Sequence, residues 1–92
     1  MIELRWTDAA NADLEQIADY LFEKTPQHAA RIVRAIYDAP AELRKFPGLG
    51  RPGRVKGTRE LELTALPYII ICVHAGNTVH LARILHAAQR WP

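Results

Sequence analysis

Apolar residues recur along this chain with two different periods. Ile2, Leu4 and Trp6 alternate with Glu3 and Arg5, the period-2 pattern of a short, half-buried strand. After Trp6 the period changes. Ala10, Leu14, Ile17, Ala18, Leu21 and Phe22 recur three and four residues apart, with Asp13, Glu15, Gln16, Asp19 and Glu23 on the other side. That predicts an amphipathic helix over about residues 8–23. Thr7 is placed to cap it, and Asp8 to meet the positive end of its dipole. Thr25-Pro26 repeats the start signal, a cap followed by proline at the first helical position. Ala29, Val33, Ile36, Tyr37, Leu43 and Phe46 then mark the inner face of a second helix. Pro40 lacks an amide hydrogen, so a kink or break is expected near residues 36–40. The connection between the helices is so short that they must form a hairpin, whose apolar faces need a surface to cover.

From Phe46 to Gly57 the periodicity disappears among Pro47, Gly48, Gly50, Pro52, Gly53 and Gly57, which reads as a loop. Arg59, Leu61 and Leu63 alternate with Glu60, Glu62 and Thr64, and a strand resumes. Ala65-Leu66-Pro67 turns the chain into Tyr68-Ile69-Ile70-Ile71-Cys72-Val73, the longest unbroken apolar run. Six apolar residues in a row leave no face for water, so this is a central strand covered on both sides. Ala75-Gly76-Asn77 closes a hairpin. A last strand runs from Thr78 to about Leu85, and residues 87–92 form a tail. The order β-α-α-β-β-β implies a single α+β domain over residues 1–92. Its helical hairpin packs on one face of a small, mainly antiparallel sheet, with the first strand at an edge.

Composition narrows the setting. No apolar stretch approaches the roughly 20 residues that cross a bilayer, and Glu3 and Arg5 interrupt any apolar leader. The lone Cys72 lies inside the apolar run and reads as a small hydrophobe in a reducing cytoplasm. The net charge of +2 hides a split. Residues 1–43 carry eight acids against four bases, a net of −4; residues 44–92 carry eight bases against Glu60 and Glu62, a net of +6. From Arg44 through Arg59 there are six bases and no acid. Such a segment is expected to meet something acidic: nucleic acid, an acidic protein segment, or both. Arg51, Arg54, Lys56 and Arg59 are suited to neutralise phosphates without reading sequence, although the glycines around them lack the spacing of a phosphate loop.

Few other residues suggest chemistry. His28, His74, His80 and His86 show no metal-ligand spacing, and Cys72 has no partner cysteine, so no metal site is expected. Strict alternation in the last strand groups Arg83 with Val79, Leu81 and Leu85, and His86 with His80, Ala82 and Ile84. An arginine on an apolar face must be paired or open onto a groove, and Glu60 and Glu62 are its expected partners. His86, at the strand end, is placed either as a general acid or base or as a histidine bonded to backbone. Arg90 beside Trp91 has a hot-spot composition, unless Trp91 folds back onto the core. Asp13, Glu15 and Asp19 form no acid–base pair and read as a solvated face. Residue chemistry alone gives a small basic module and no reaction.

The segments Gly57-Thr58-Arg59-Glu60-Leu61, Pro67-Tyr68-Ile69-Ile70-Ile71 and Ala82-Arg83-Ile84-Leu85-His86-Ala87-Ala88-Gln89-Arg90-Trp91-Pro92 resemble the ParE/RelE superfamily, as do Leu4-Arg5-Trp6-Thr7, Ala10, Asp13-Leu14 and Ile17. These are the toxin halves of bacterial type II toxin–antitoxin pairs. The resemblance covers essentially the whole chain in the same element order, and the Arg83-Ile84-Leu85-His86 and Trp91-Pro92 ending is most similar to the ParE branch. RelE-like members cleave mRNA on the ribosome without a metal. They use basic residues before and at the end of the second strand, a late arginine, and often a tyrosine or histidine near the end. On that pattern Lys56 or Arg54 takes the first role, and Arg90 and His86 the late ones. The catalytic candidates are therefore Lys56, His86 and Arg90. The second strand here ends in Leu63-Thr64, however, and no tyrosine follows Tyr68, so the nuclease set is incomplete. ParE-like members are instead poisons of DNA gyrase that act by binding. The resemblance thus implies a cofactor-free gyrase inhibitor, neutralised by an antitoxin in a hetero-oligomeric complex. The alternatives are a nuclease acting on ribosome and mRNA, or a non-toxic binding module. Arg51, Arg54, Lys56, Arg59, Arg83, His86, Arg90 and Trp91 are the expected contacts to target or antitoxin.

Overall fold

A computed structural model describes residues 1–87 of the chain. Strand β1 (Glu3–Trp6) leads into helices α1 (Asp8–Lys24) and α2 (Pro26–Asp38). A 3-10 segment (Ala39–Arg44) follows, then strands β2 (Arg51–Pro52), β3 (Thr58–Glu62), β4 (Tyr68–Ala75) and β5 (Thr78–His86). The sheet has five strands in the order β1-β5-β4-β3-β2. β1 runs parallel to β5 and the remaining pairs are antiparallel, so the sheet is mixed. The helical hairpin packs over it around a core that includes Ile36, Leu43, Leu61, Ile70, Val79, Leu81 and Ile84.

Thr7 does two jobs at the entry to α1. Its hydroxyl oxygen accepts from the Ala10 amide at 3.1 Å, capping the helix. The hydroxyl proton is shared between the Leu81 and Ala82 carbonyls at 2.9 and 3.1 Å, fastening the helix start to β5. α2 ends at Asp38, and Pro40 falls in the 3-10 segment, as its missing donor requires. Both Pro40 and Leu43 are buried. Phe22, Tyr37 and Phe46, expected on inner faces, are instead exposed. Phe22 and Tyr37 directly follow the buried Leu21 and Ile36, and neighbours in a helix point about 100° apart. The change of pitch after Asp38 leaves Phe46 outside while Leu43 stays in.

The Gly/Pro stretch is not wholly loop. Arg51 and Pro52 pair with Glu60 and Arg59, making β2 a two-residue edge strand. Pro52 is tolerated because an edge strand need not donate on its outer side. Gly50 makes the approach possible: its φ is +96°, and a Cβ there would lie 2.5 Å from the Glu60 carbonyl oxygen.

The apolar run forms β4 as expected, extended to Ala75. Ile70, Ile71 and Cys72 are each essentially sealed from solvent, so both faces of the strand are covered. Strict alternation fails in β5. Cys72 lies opposite Leu81 but Ile71 lies opposite Arg83, so Ala82 is an extra residue, a β-bulge. The bulge resets the phase, so Ile84 joins Val79 and Leu81 in the core and no longer shares a face with His80, while His86, two residues on, stays on the face of Ile84.

Candidate functional site

His86 ends β5 directly opposite Tyr68, the first residue of β4. The two rings meet edge-on, with centroids 5.7 Å apart and planes at 82°. His86 borders two clefts. One, of about 290 Å³, opens between α1 and the ends of β4 and β5, and is lined by Asp13, Gln16, Tyr20, Tyr68 and Arg83 among others. The second is smaller, about 70 Å³, where Arg51 and Arg54 meet Glu60, Ile69, Ile71 and Leu85.

Arg83 is held from α1 and not by Glu60 or Glu62. Its Nε donates to the Asp13 carboxylate at 2.8 Å and Nη2 donates at 3.0 Å. The Ile84 amide donates to the same carboxylate at 2.9 Å. β1 pairs with β5 only as far as Leu81, so beyond it the β5 edge needs another acceptor, and Asp13 supplies it. The guanidinium pKa is raised above its ordinary value, chiefly by the hydrogen bond to Asp13. Glu60, the partner expected for Arg83, is instead buried under Arg51. Arg51 Nε and Nη2 donate to its Oε1 at 3.2 and 3.1 Å, and Nη2 also reaches Glu62 at 3.0 Å.

Arg59 is likewise turned inward. Its Nη2 donates to the Gly48 and Gly50 carbonyls at 2.7 and 2.8 Å, tying the loop to β3. Its Nε is buried without a hydrogen-bond partner. Arg54 and Lys56 are exposed and enter no ion pair among the described residues. Burial raises the Cys72 thiol to about 11 against an opposing pull from Arg59, and burial, with a smaller contribution from Tyr20, raises Tyr68. Arg90 and Trp91 lie outside the described residues. Among the described residues, no group of three His, Cys, Asp or Glu side chains is placed to hold a metal ion, and no helix is long and apolar enough to cross a membrane.

The structure therefore brings Arg83 and His86 together at one cleft, and Arg51, Arg54 and His86 at the other. Lys56 and Arg59 line neither. Asp13 and Tyr20 were missed in the sequence. Their signal was the i, i+3, i+4, i+7 spacing of Asp13, Gln16, Ile17 and Tyr20, which places all four on one side of α1.

A two-helix hairpin on a mixed five-stranded sheet is the architecture shared with the ParE/RelE toxins. Over 94% of this chain it superposes on a chain from the chromosomal ParDE toxin–antitoxin system of P. aeruginosa, covering 96% of that chain, with a TM-score of 0.86 and 31% identity. A chain of the toxin–antitoxin complex RelBE2 from Mycobacterium tuberculosis shares the fold at a TM-score of 0.64 and 22% identity, with 96% and 93% of the two chains covered. The model of the family described as "ParE toxin of type II toxin-antitoxin system, parDE" matches residues 4–91, and the chain belongs to this family of toxins. Among its relatives, "Putative toxin Y4kP" of Sinorhizobium fredii is 42% identical over 89 residues, covering 97% of this chain and 92% of that one. Toxin RelE2 of Caulobacter vibrioides is 36% identical, covering 97% and 99%.

Proposed function

We propose that this toxin acts in the cytoplasm by binding DNA gyrase and blocking it, and that a cognate antitoxin neutralises it by covering the same basic region. The observation that carries this reading is how the arginines are used. Arg51, Arg59 and Arg83 are held by Glu60 and Glu62, by loop carbonyls and by Asp13. They are framework for a surface and do not converge on one reacting bond. Arg54, Lys56 and the rim around His86 are the accessible part of that surface, with Arg90 and Trp91 as further contacts. The antitoxin contributes an acidic segment to this region, in keeping with the bases that run from Arg44 to Arg59.

The ribonuclease reading is favoured by the placement of His86 beside Tyr68 and by the likeness to toxin RelE2. Expressing the chain without its antitoxin separates the two. The inhibitor reading expects plasmid DNA to lose negative supercoiling while transcripts stay intact. Rapid cleavage of translated mRNA with normal plasmid topology would reject it.

A further inference from the structure

The larger of the two clefts beside His86 is lined by more donors than acceptors. Its one carboxylate, Asp13, already accepts from Arg83 Nε, Arg83 Nη2 and the Ile84 amide, and has little left to offer a ligand. Arg83 keeps a surplus. A guanidinium carries five N–H groups, and only one on Nε and one on Nη2 go to Asp13. The side chain is 39% exposed and lines the cleft, so its outer edge is available there.

The other polar groups follow the same trend. Gln16 and Tyr20 are exposed on the α1 side, four residues apart on one helix face. Tyr68 lines the cleft from β4, near enough to Tyr20 for each phenol to influence the other's ionisation. Burial raises the Tyr68 pKa further, so its hydroxyl keeps its proton at neutral pH and can donate. Ile17 and Ile84 add apolar lining. A cleft of about 290 Å³ with apolar walls and a few convergent polar groups has the form of a ligand site.

We propose that this cleft is a socket for an acidic side chain of the target protein. A glutamate or aspartate enters with its carboxylate against the outer edge of Arg83 and the hydroxyls of Tyr20 and Tyr68, and lays its methylene stem on Ile17 and Ile84. Hydrogen bonds between a guanidinium and a carboxylate are charge-assisted and stronger than neutral ones. A lysine or arginine is opposed, because Arg83 repels it and Asp13 is already taken. The assignment rests on the reading that the toxin acts by binding a protein, and adds the chemistry it recognises there.

NMR titration of the free toxin with glutarate, beside neutral glutaramide at matched ionic strength, tests the socket without any target. The Tyr20 and Tyr68 ring signals should shift saturably with glutarate and not with glutaramide. Gln16→Glu, which keeps the size of an exposed side chain and adds a repelling charge, should abolish the shift. No saturable shift up to about 50 mM glutarate overturns the proposal, and so does an equal response to glutaramide. Binding to purified gyrase then tests the source of the carboxylate. Gln16→Glu should raise the dissociation constant for gyrase at least about tenfold and Tyr20→Phe about threefold, with antitoxin affinity and melting temperature held. Unchanged gyrase affinity, or a loss confined to antitoxin, overturns the assignment to the target. A wild-type toxin that takes glutarate but not gyrase rejects the gyrase reading and the target's side chain with it, while the carboxylate socket stands.

Discussion

Asp13 binds three donors with one carboxylate and joins α1 to the end of β5. Hydrogen bonds to a charged group contribute about 1.5–3 kcal/mol each. The Arg83 side chain is 39% exposed, so water takes over part of what Asp13 supplies. We expect Asp13→Ala to cost about 2 kcal/mol in urea unfolding, and Asp13→Asn less, since its amide oxygen still accepts from Ile84. No shift in the midpoint for Asp13→Ala would show that the pair is ornamental. Cys72 and Tyr68 act through pH. Burial raises both pKa values, the thiol from 9.0 to about 11. A folded-state pKa above the unfolded one means that the native chain holds its proton more tightly. The contribution is therefore complete below pH 9 and is lost as pH rises towards 11. Stability should fall by about 2 kcal/mol across that interval, and Cys72→Ala should remove the thiol's share. Thiol alkylation that proceeds at the rate of a free cysteine at pH 8 would contradict the burial assigned to Cys72.

At the scale of elements, the basic segment divides into fixed and available charges. Arg51 and Arg59 are built into β2, β3 and the loop before them. Arg51→Glu should therefore unfold more than it unbinds, because Glu60 would keep a buried charge without a partner, at a cost of about 3 kcal/mol. Arg54→Glu with Lys56→Glu should leave the melting temperature alone while weakening the antitoxin complex about tenfold and flattening its salt dependence. Unchanged affinity and salt dependence, measured by titration calorimetry at two salt concentrations, would remove the electrostatic account of neutralisation. Most of these elements were legible in the sequence. Period and caps place α1, α2 and β4, and Pro40 places the break after α2. The bulge was not legible, because one extra alanine at position 82 leaves no trace in composition yet redirects Ile84 to the core. β2 was also hidden, since Gly50 and Pro52 signal a loop whether or not two residues pair. The pairing of Arg83 could not be read from parity, because its acceptor lies seventy residues away on a helix whose acids look alike in sequence.

Over the whole molecule the two charge domains are kept apart by topology. The acidic α1 packs near β5, while the basic segment feeds β3 and β2 at the far side of the sheet. A partner that covers the basic side and the rim around His86 therefore also meets α1, at the Asp13, Gln16 and Tyr20 side of that cleft. Family membership and fold establish a type II toxin, and the choice of target is the central claim that remains to be measured. The direct measurement is supercoiling of relaxed plasmid by purified gyrase, titrated with this toxin and then with its antitoxin, beside a ribosome-programmed mRNA cleavage reaction. The account expects supercoiling to fall with toxin, to recover when antitoxin is added, and the mRNA to stay whole. Undiminished supercoiling beside cleaved mRNA would contradict it.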